Sequence, residues 1–259
     1  VFEIQNFNRQ IGATLSSIDH PKVDVLANMA KDINPEIKLN IYKEGVNESN
    51  LDEFLKDVDL YVDGLDFFVL DIRAKLFKRC QELNIPAITA APMGMSTIYF
   101  VFMPDKMTFE DYFRLERLPE DEQRIHFLLG FMPKLYTRKY LVDPTTTDFS
   151  KKRGPSTVMA CELCAGVVSC EALKILLKRG KIYPVPYYHI FDAYAGKFSI
   201  GRIPWGNKNP IQRLKKIILK KILAKGKEAK PPVFSVTSPE SVIEKILDLS
   251  RWAPSPDNV

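Results

Sequence analysis

Residues 59–66, which read D-L-Y-V-D-G-L-D, decide the fold class of this chain. A short apolar run there ends in two carboxylates on either side of a glycine, which is typical of a buried strand that opens into a loop. Patterns of helical spacing lie at residues 21–34 and 68–83, and strands that alternate with helices predict an α/β fold. In open α/β sheets, ligands bind beyond the carboxyl ends of the strands, where Asp66 is placed by this pattern.

Asp66 is therefore our candidate metal ligand. Mg²⁺ binds through one or two carboxylates together with phosphate oxygens and water, so a carboxylate in this loop suits a magnesium nucleotide. The alternative is that Asp63 and Asp66 only cap the helix that follows, and the sequence leaves both interpretations open.

Polar side chains of a second kind cluster near the start of the chain, where residues 2–10 read F-E-I-Q-N-F-N-R-Q. Asn6, Arg9 and Gln10 offer planar hydrogen-bonding groups, and Lys22 offers a point charge. Such groups suit a polyphosphate and the negative charge that develops when it is cleaved. The alternative is an ordinary polar loop, because a short string of this kind also arises by chance.

Several short motifs share one order along the chain. They are N-x-x-R-Q from Asn6, H-P-K-V from His20, I-N-P from Ile33, the stretch at residues 59–66, and I-P-A-I-T-A-A-P from Ile85. In this order they resemble the ThiF/MoeB/HesA adenylyltransferases, which are relatives of the ubiquitin-activating enzymes. Residues 165–174 are also similar to a later helix of that family.

The resemblance implies ATP-dependent adenylation of a carboxylate, usually the C-terminus of a small carrier protein or peptide. It implies a Rossmann-like, mostly parallel sheet flanked by helices, with added antiparallel strands, in a protein that commonly forms a homodimer. By position, Asn6, Arg9 and Gln10 would contact the phosphates of ATP, and Arg9 would also stabilise the transition state. Lys22 would bind phosphate, and Asp66 would hold Mg²⁺.

The chain departs from the family pattern at two points. The family's glycine-rich phosphate loop lies before the R-Q motif, whereas this chain begins at Val1 in what resembles the second strand, and it contains no G-x-G-x-x-G. We therefore expect a chain truncated at its N-terminus, with half of the nucleotide site missing. Phe67 stands where many relatives carry a polar amide.

The C-terminal residues suggest the start of another domain. Residues 241–250 have the spacing of an amphipathic helix, and residues 251–259 read R-W-A-P-S-P-D-N-V. This segment resembles the opening of a nitroreductase-like flavoprotein, in which Ser255 and Asn258 would line an FMN site if the downstream domain were present. The alternative is a proline-rich tail.

The predicted organisation is an adenylation domain at residues 1–226, a linker at 227–238, and the start of a nitroreductase-like domain at 239–259. We expect truncation at this end too.

Composition indicates an ordinary globular protein, because 46% of its 259 residues are hydrophobic and 27% are charged. The four cysteines do not form a disulfide framework in a chain of this length, which favours a reducing compartment, and we expect the cytoplasm. Cys161 and Cys164 form one C-x-x-C pair with no second pair to complete a zinc site, so we expect them to pack in a helix.

Three further segments have readable patterns. Residues 104–155 are charged and irregular, which indicates either a cover over a substrate channel or a solvated helical insertion. Residues 188–194 and 197–203 predict a hairpin, and residues 156–179 predict a long helix. Residues 209–225 predict a basic amphipathic helix, which we expect to pack on the protein rather than on a membrane surface or a nucleic acid.

Three functions are compatible with these patterns. The first is an adenylyltransferase, the second is a non-catalytic ThiF-like scaffold or dimerisation domain attached to a flavin-dependent domain, and the third is a nicotinamide-binding domain. The third lacks the dinucleotide fingerprint and ranks last.

Overall fold

Five strands form one sheet in the computed structural model, which describes residues 1–133 and 157–226, with side chains described as far as residue 220. The strands are β1 (Tyr61–Asp63), β2 (Ala87–Met93), β3 (Ser96–Phe102), β4 (Tyr187–Asp192) and β5 (Lys197–Arg202). The helices are α1 (Lys22–Ile33), α2 (Leu51–Phe54), α3 (Leu70–Glu82), α4 (Phe109–Phe113), α5 (Glu120–Phe131), α6 (Val158–Leu176) and α7 (Pro210–Gly226).

The strands lie in the order β1-β2-β3-β4-β5. β1 and β2 are parallel and are joined through α3, and their register places Asp63 opposite Thr89. The other three pairs are antiparallel, and α6 packs against β2 and β3. The carboxyl ends of β1 and β2 therefore share one edge with the start of β3.

The predicted α/β class and the added antiparallel strands are confirmed. Within the described residues only the β1–β2 pair is parallel, so the expectation of a mostly parallel sheet is wrong for this part of the chain. The reason is that β2 turns directly into β3 at Gly94, which has φ of 63°, and so short a turn joins only antiparallel strands.

Apolar and polar residues alternate from Ile37 to Tyr42, a pattern that predicts a strand, but no strand forms there. Ile37 and Ile41 are 37% and 40% exposed, so their alternation with polar residues does not mark a half-buried strand. A strand needs a neighbour for its backbone groups, and no described strand lies beside this segment. The helices predicted at residues 21–34, 68–83, 156–179 and 209–225 are confirmed to within a few residues.

The main core is aromatic, and the charged segment after β3 supplies much of it. Phe113, Phe127 and Phe131 of α4 and α5 are fully buried, and the Phe127 and Phe131 ring centroids lie 4.9 Å apart. Phe100 of β3 meets the Phe131 ring edge-on at 5.0 Å. The alternative of a solvated helical insertion is wrong for residues 104–133, because α4 buries Phe109, Tyr112 and Phe113 and the second half of α5 buries residues 127–131.

The basic helix α7 packs on the protein as expected, but through its polar side. Gln212 is buried and donates to the Leu129 carbonyl at 3.2 Å, and Lys216 pairs with Glu122 at 2.9 Å. The apolar side chains Ile211, Leu214, Ile217 and Ile218 of this helix are exposed. The end of α5 offers the Leu129 carbonyl to Gln212, and the first turn of α5 offers the Glu122 carboxylate to Lys216.

Three regions with predictions lie outside the described residues: the linker at residues 227–238, the nitroreductase-like start at 239–259 with Ser255 and Asn258, and residues 134–155 of the charged segment. In the part of the chain that the structure describes, no helix is long and apolar enough to cross a membrane.

The core predicts a large effect for one aromatic truncation. Phe100→Ala is expected to lower the free energy of unfolding by about 3–5 kcal/mol, because it removes a fully buried ring from a packed interior. Phe198→Ala is the matched control, since this β5 side chain is 55% exposed, and the expected loss is about 1 kcal/mol or less. Chemical denaturation measures both values, and equal losses would contradict this assignment of the core.

Candidate functional site

The N-terminal segment folds back on itself around Phe2. Its ring is buried, and its backbone pairs with the residues before α1 through Phe2 N to the His20 carbonyl and Asp19 N to the Phe2 carbonyl, both at 2.9 Å. Gly12 lies against the ring, and a Cβ there would approach the Phe2 Cζ atom to 2.7 Å. This packing holds residues 4–10 beside the start of α1.

Asn6, Arg9 and Gln10 share one tight turn. The backbone N–H groups of Arg9 and Gln10 both donate to the Asn6 carbonyl, at 3.1 and 2.9 Å. The Asn6 side chain is buried, and its Oδ1 accepts from the Glu3 amide at 3.1 Å, so Asn6 organises the turn from inside. Arg9 is half-buried and donates from Nη1 to the Gln5 carbonyl at 3.1 Å, which fixes one side of its guanidinium.

Lys22 is the first residue of α1, and its amine lies near charged residues of the predicted site. Burial lowers the pKa of the Lys22 amine, and the Arg9 charge lowers it further. The Glu3 and Asp66 carboxylates raise it and offset part of this shift. The amine also lies 5.6 Å from the centroid of the Phe2 ring. The charges of Arg9 and Asp66, which come from distant parts of the sequence, therefore both act on the Lys22 amine.

The two aspartates of the β1 loop have different environments. Asp63 is buried, and its Oδ2 accepts from Arg73 Nε and from the Thr89 hydroxyl, both at 2.8 Å. Its Oδ1 accepts from the Leu65 amide at 3.2 Å. These bonds use the lone pairs of Asp63 inside the protein, so Asp63 is a structural residue.

Asp66 is exposed, and its Oδ1 accepts from the Phe68 amide at 2.9 Å. A carboxylate has about four lone-pair positions, so this single bond leaves capacity for a cation, and the donor type suits Mg²⁺. The alternative in which both aspartates cap the next helix is wrong, because the residue that precedes the first turn of α3 is Val69.

Phe67, which stands where many relatives carry a polar amide, has a packing role in this structure. Its ring lies 5.0 Å from the Phe127 ring of α5 and 5.2 Å from Phe68. The Arg73 guanidinium carbon lies 4.9 Å from the centroid of the same Phe127 ring. The residue after Asp66 is thus a packing contact that ties the loop to α5.

The C-x-x-C pair lies in the first half of α6, against the sheet. Burial raises the pKa of the Cys164 thiol to about 12, and its Sγ lies 2.6 Å from the Thr97 hydroxyl of β3. Burial also raises the pKa of the Cys161 thiol, and the Arg9 charge opposes that shift. In the described residues, no group of three or more His, Cys, Asp or Glu side chains is placed to hold a metal ion.

Sequence reasoning missed Arg73, Thr89 and Phe127 as supports of the site. A signal for Arg73 was present, because it falls on the apolar face of α3 with Leu70, Phe77 and Cys80. A charged side chain on that face needs buried partners. Nothing in the sequence marked Thr89 or Phe127, whose roles depend on strand register and on the packing of α5.

The model of the ThiF family matches residues 1–213 of the chain. Adenylyltransferase and sulfurtransferase MOCS3 of Arabidopsis thaliana is 35% identical over 102 residues, which are 38% of this chain and 22% of that protein. Sulfur carrier protein ThiS adenylyltransferase of Escherichia coli is 29% identical over 101 residues, 39% of each protein. The chain thus spans well under half the length of these curated relatives.

Among solved structures, E. coli MccB with ATP aligns with a TM-score of 0.55 at 14% identity, covering 81% of this chain and 56% of that one. At this identity the likeness shows the fold.

The thiol environments predict selective alkylation. At pH 8 and at a dilution at which the chain is monomeric, iodoacetamide is expected to modify the exposed Cys170 and to leave Cys80 and Cys164 unmodified, because burial raises both of their pKa values to about 12 and the thiolate is the nucleophile. Mass spectrometry of the digested protein gives the extent at each site. The unfolded chain in denaturant is the control and should react at all four cysteines. Equal rates at Cys164 and Cys170 in the folded protein would contradict the assignment.

Proposed function

The chain belongs to the ThiF family, and on that premise we propose that it takes part in the ATP-dependent adenylation of a carboxylate. The observation that carries the proposal is that the charges of Arg9 and of the exposed Asp66 carboxylate both act on the Lys22 amine, which groups two cations with one carboxylate. That grouping suits a magnesium nucleotide. The two curated relatives are named adenylyltransferases.

In the proposed reaction, a carboxylate oxygen of the substrate attacks the α-phosphorus of ATP. The bond to the β-phosphate oxygen breaks, and the products are an acyl-adenylate and pyrophosphate. Negative charge grows on the phosphate oxygens as the bond breaks, so fixed positive groups accelerate the step. Arg9 supplies a planar fork that stays charged throughout the physiological pH range, and Lys22 supplies a point charge.

Asp66 would hold Mg²⁺, which when bound neutralises charge on the phosphates. Gln10 would contact a phosphate through its amide. Asn6 accepts a hydrogen bond from the Glu3 amide inside the same turn. It would therefore contribute to phosphate binding by holding that turn in place.

The proposed substrate is the C-terminus of a small carrier protein or peptide. The E. coli relative is named for a sulfur carrier protein, which supports this class. The β4–β5 hairpin leaves one edge of β5 without a partner strand in the described residues, and an extended tail pairs readily with such an edge.

A specific observation favours a second candidate, a non-catalytic scaffold. Phe67 replaces the polar amide that many relatives carry, and its ring is committed to packing on Phe127. In this candidate the chain has lost nucleotide chemistry and docks a flavin-dependent domain. FMN would then bind only in the full-length protein, through Ser255 and Asn258 among others. Nucleotide binding separates the two candidates.

A homodimer is also proposed, with α6 at its interface. The outer face of α6 leaves Leu173 and Leu176 more than half exposed. At the centre of this face, a Cβ on Gly166 would meet nothing within 4 Å, which permits close approach of another helix. The charged side chains of α6 are Glu162, Glu171 and Lys174, and the last two pair with each other, so the face is nearly uncharged. A second copy of α6 is complementary to such a face.

The proposed site predicts two variants with reduced function. Asp66→Asn is expected to weaken the binding of ATP in the presence of Mg²⁺ by about tenfold or more, by analogy with changes around metal ligands. Arg9→Ala is expected to slow magnesium-dependent pyrophosphate exchange by about a hundredfold, since removing one donor to transition-state charge has that effect.

Isothermal titration and isotope exchange on the full-length gene product measure these effects. Asp71→Asn is the matched control, because Asp71 is exposed in the first turn of α3 and pairs with Lys75. Binding of ATP that is unchanged in both site variants would favour a different nucleotide site, and no binding by the parent protein would favour the scaffold.

The proposed dimer predicts that Leu173→Glu yields a monomer, because two carboxylates would then be buried in the interface. Size-exclusion chromatography with light scattering gives the mass at several protein concentrations. Leu15→Glu is the control, since Leu15 is 86% exposed and lies in the N-terminal segment. A parent protein that is monomeric at all concentrations would contradict the dimer.

A further inference from the structure

Arg73 is a buried cation that the proposed chemistry does not use. It is 2% exposed, on α3, and each of its N–H groups has an acceptor. Nε donates to Asp63 Oδ2 at 2.8 Å. Nη1 donates to the carbonyls of Phe67 and Val69 at 3.3 and 3.0 Å, and Nη2 donates to those of Leu65 and Asp66 at 2.6 and 2.9 Å. A guanidinium has five N–H donors, so its capacity is filled.

Four of these five acceptors belong to one loop. The carbonyls of residues 65, 66, 67 and 69 all converge on the guanidinium, although the loop has no helix or strand to hold it. A loop backbone is otherwise free to sample many conformations, at a cost of roughly 1–2 kcal/mol for each residue that is ordered. The hydrogen bonds from Arg73 therefore hold this loop in one conformation.

We propose that Arg73 is a positioning residue for the Asp66 carboxylate, which it holds in place through the carbonyls on both sides of it. The inference rests on the proposed function, and it concerns how the magnesium-binding oxygen is oriented. Asp66 is exposed, and within its own residue the backbone carbonyl is bonded to Arg73 while Oδ1 is bonded to the Phe68 amide. Movement of this backbone would carry the carboxylate away from the phosphates.

The guanidinium is itself fixed from two sides. Asp63 holds Nε, and the Thr89 hydroxyl holds the same carboxylate oxygen of Asp63. The Phe127 ring packs over the guanidinium carbon at 4.9 Å and also contacts Phe67. Lysine cannot reproduce this arrangement, because an ammonium has three donors and no planar fork.

The test compares Arg73→Lys with Arg79→Lys in the full-length protein. Arg79 is on the same helix, but it is only partly buried and pairs with Asp52 and Glu82. Arg73→Lys is expected to raise the Mg²⁺ concentration for half-maximal ATP binding by about tenfold or more, the effect typical of groups that orient a metal ligand. Arg79→Lys is expected to leave it unchanged. Equal Mg²⁺ requirements in the two variants would overturn the inference.

A double-mutant cycle separates positioning from a general loss of structure. If Arg73 acts through Asp66, Arg73→Lys should have little further effect on ATP binding once Asp66→Asn is present. Additive effects of the two substitutions would overturn the inference. If Arg73→Lys does not fold, Thr89→Val takes its place, because it removes one bond to Asp63 and should raise the Mg²⁺ requirement by a smaller factor.

The parent protein distinguishes the two levels of failure. No magnesium-dependent ATP binding by the parent would overturn the proposed function and, with it, the inference. Binding by the parent together with an unchanged Mg²⁺ requirement in a folded Arg73→Lys variant would overturn the inference alone. Hydrogen exchange across residues 64–70 gives an independent readout, and the inference requires faster exchange in Arg73→Lys than in Arg79→Lys.

Discussion

The buried ion pair between Asp63 and Arg73 is the interaction on which the candidate site depends. Burying two charges costs several kcal/mol per ion, and their attraction offsets this only when the remaining donors and acceptors are satisfied. That condition is met here, because the Thr89 hydroxyl and the Leu65 amide complete Asp63 and four loop carbonyls complete Arg73. The main effect of the pair is therefore to fix the conformation of the loop after β1, and its net contribution to stability is small.

This arrangement explains why two aspartates three positions apart take opposite roles. Successive side chains of a strand point to opposite faces, and Tyr61 and Asp63 share the buried face of β1 while Val62 is exposed. Asp63 is thus directed inward by the strand, and the parallel register brings Thr89 opposite to it. Asp66 has left the strand and follows the loop, so its direction is set by whatever holds the loop.

Sequence reasoning located most helices and strands because their signals are local. It predicted Arg9, Lys22 and Asp66 as site residues from residue type and motif order, and the charges of Arg9 and Asp66 both act on the Lys22 amine. The failed predictions share one physical cause. A local pattern shows which face of a helix or strand is apolar, but it does not show which element packs against that face. The alternation at residues 37–42 has no neighbouring strand, and the stripe of α7 faces away from α5 because lysines satisfy the carboxylate of Glu122 there.

The proposed dimer and the proposed site meet on one helix. Thr157 precedes α6 and donates its hydroxyl to the Gly94 carbonyl at 2.9 Å, which fixes the start of α6 to the turn between β2 and β3. The same helix carries Cys161, whose thiol pKa is affected by the Arg9 charge, and the exposed leucines Leu173 and Leu176. A second copy packed on those leucines would therefore contact α6, the helix whose Cys161 thiol is influenced by the Arg9 charge. Because packed helices move as rigid units, association and nucleotide binding would be coupled through the position of α6.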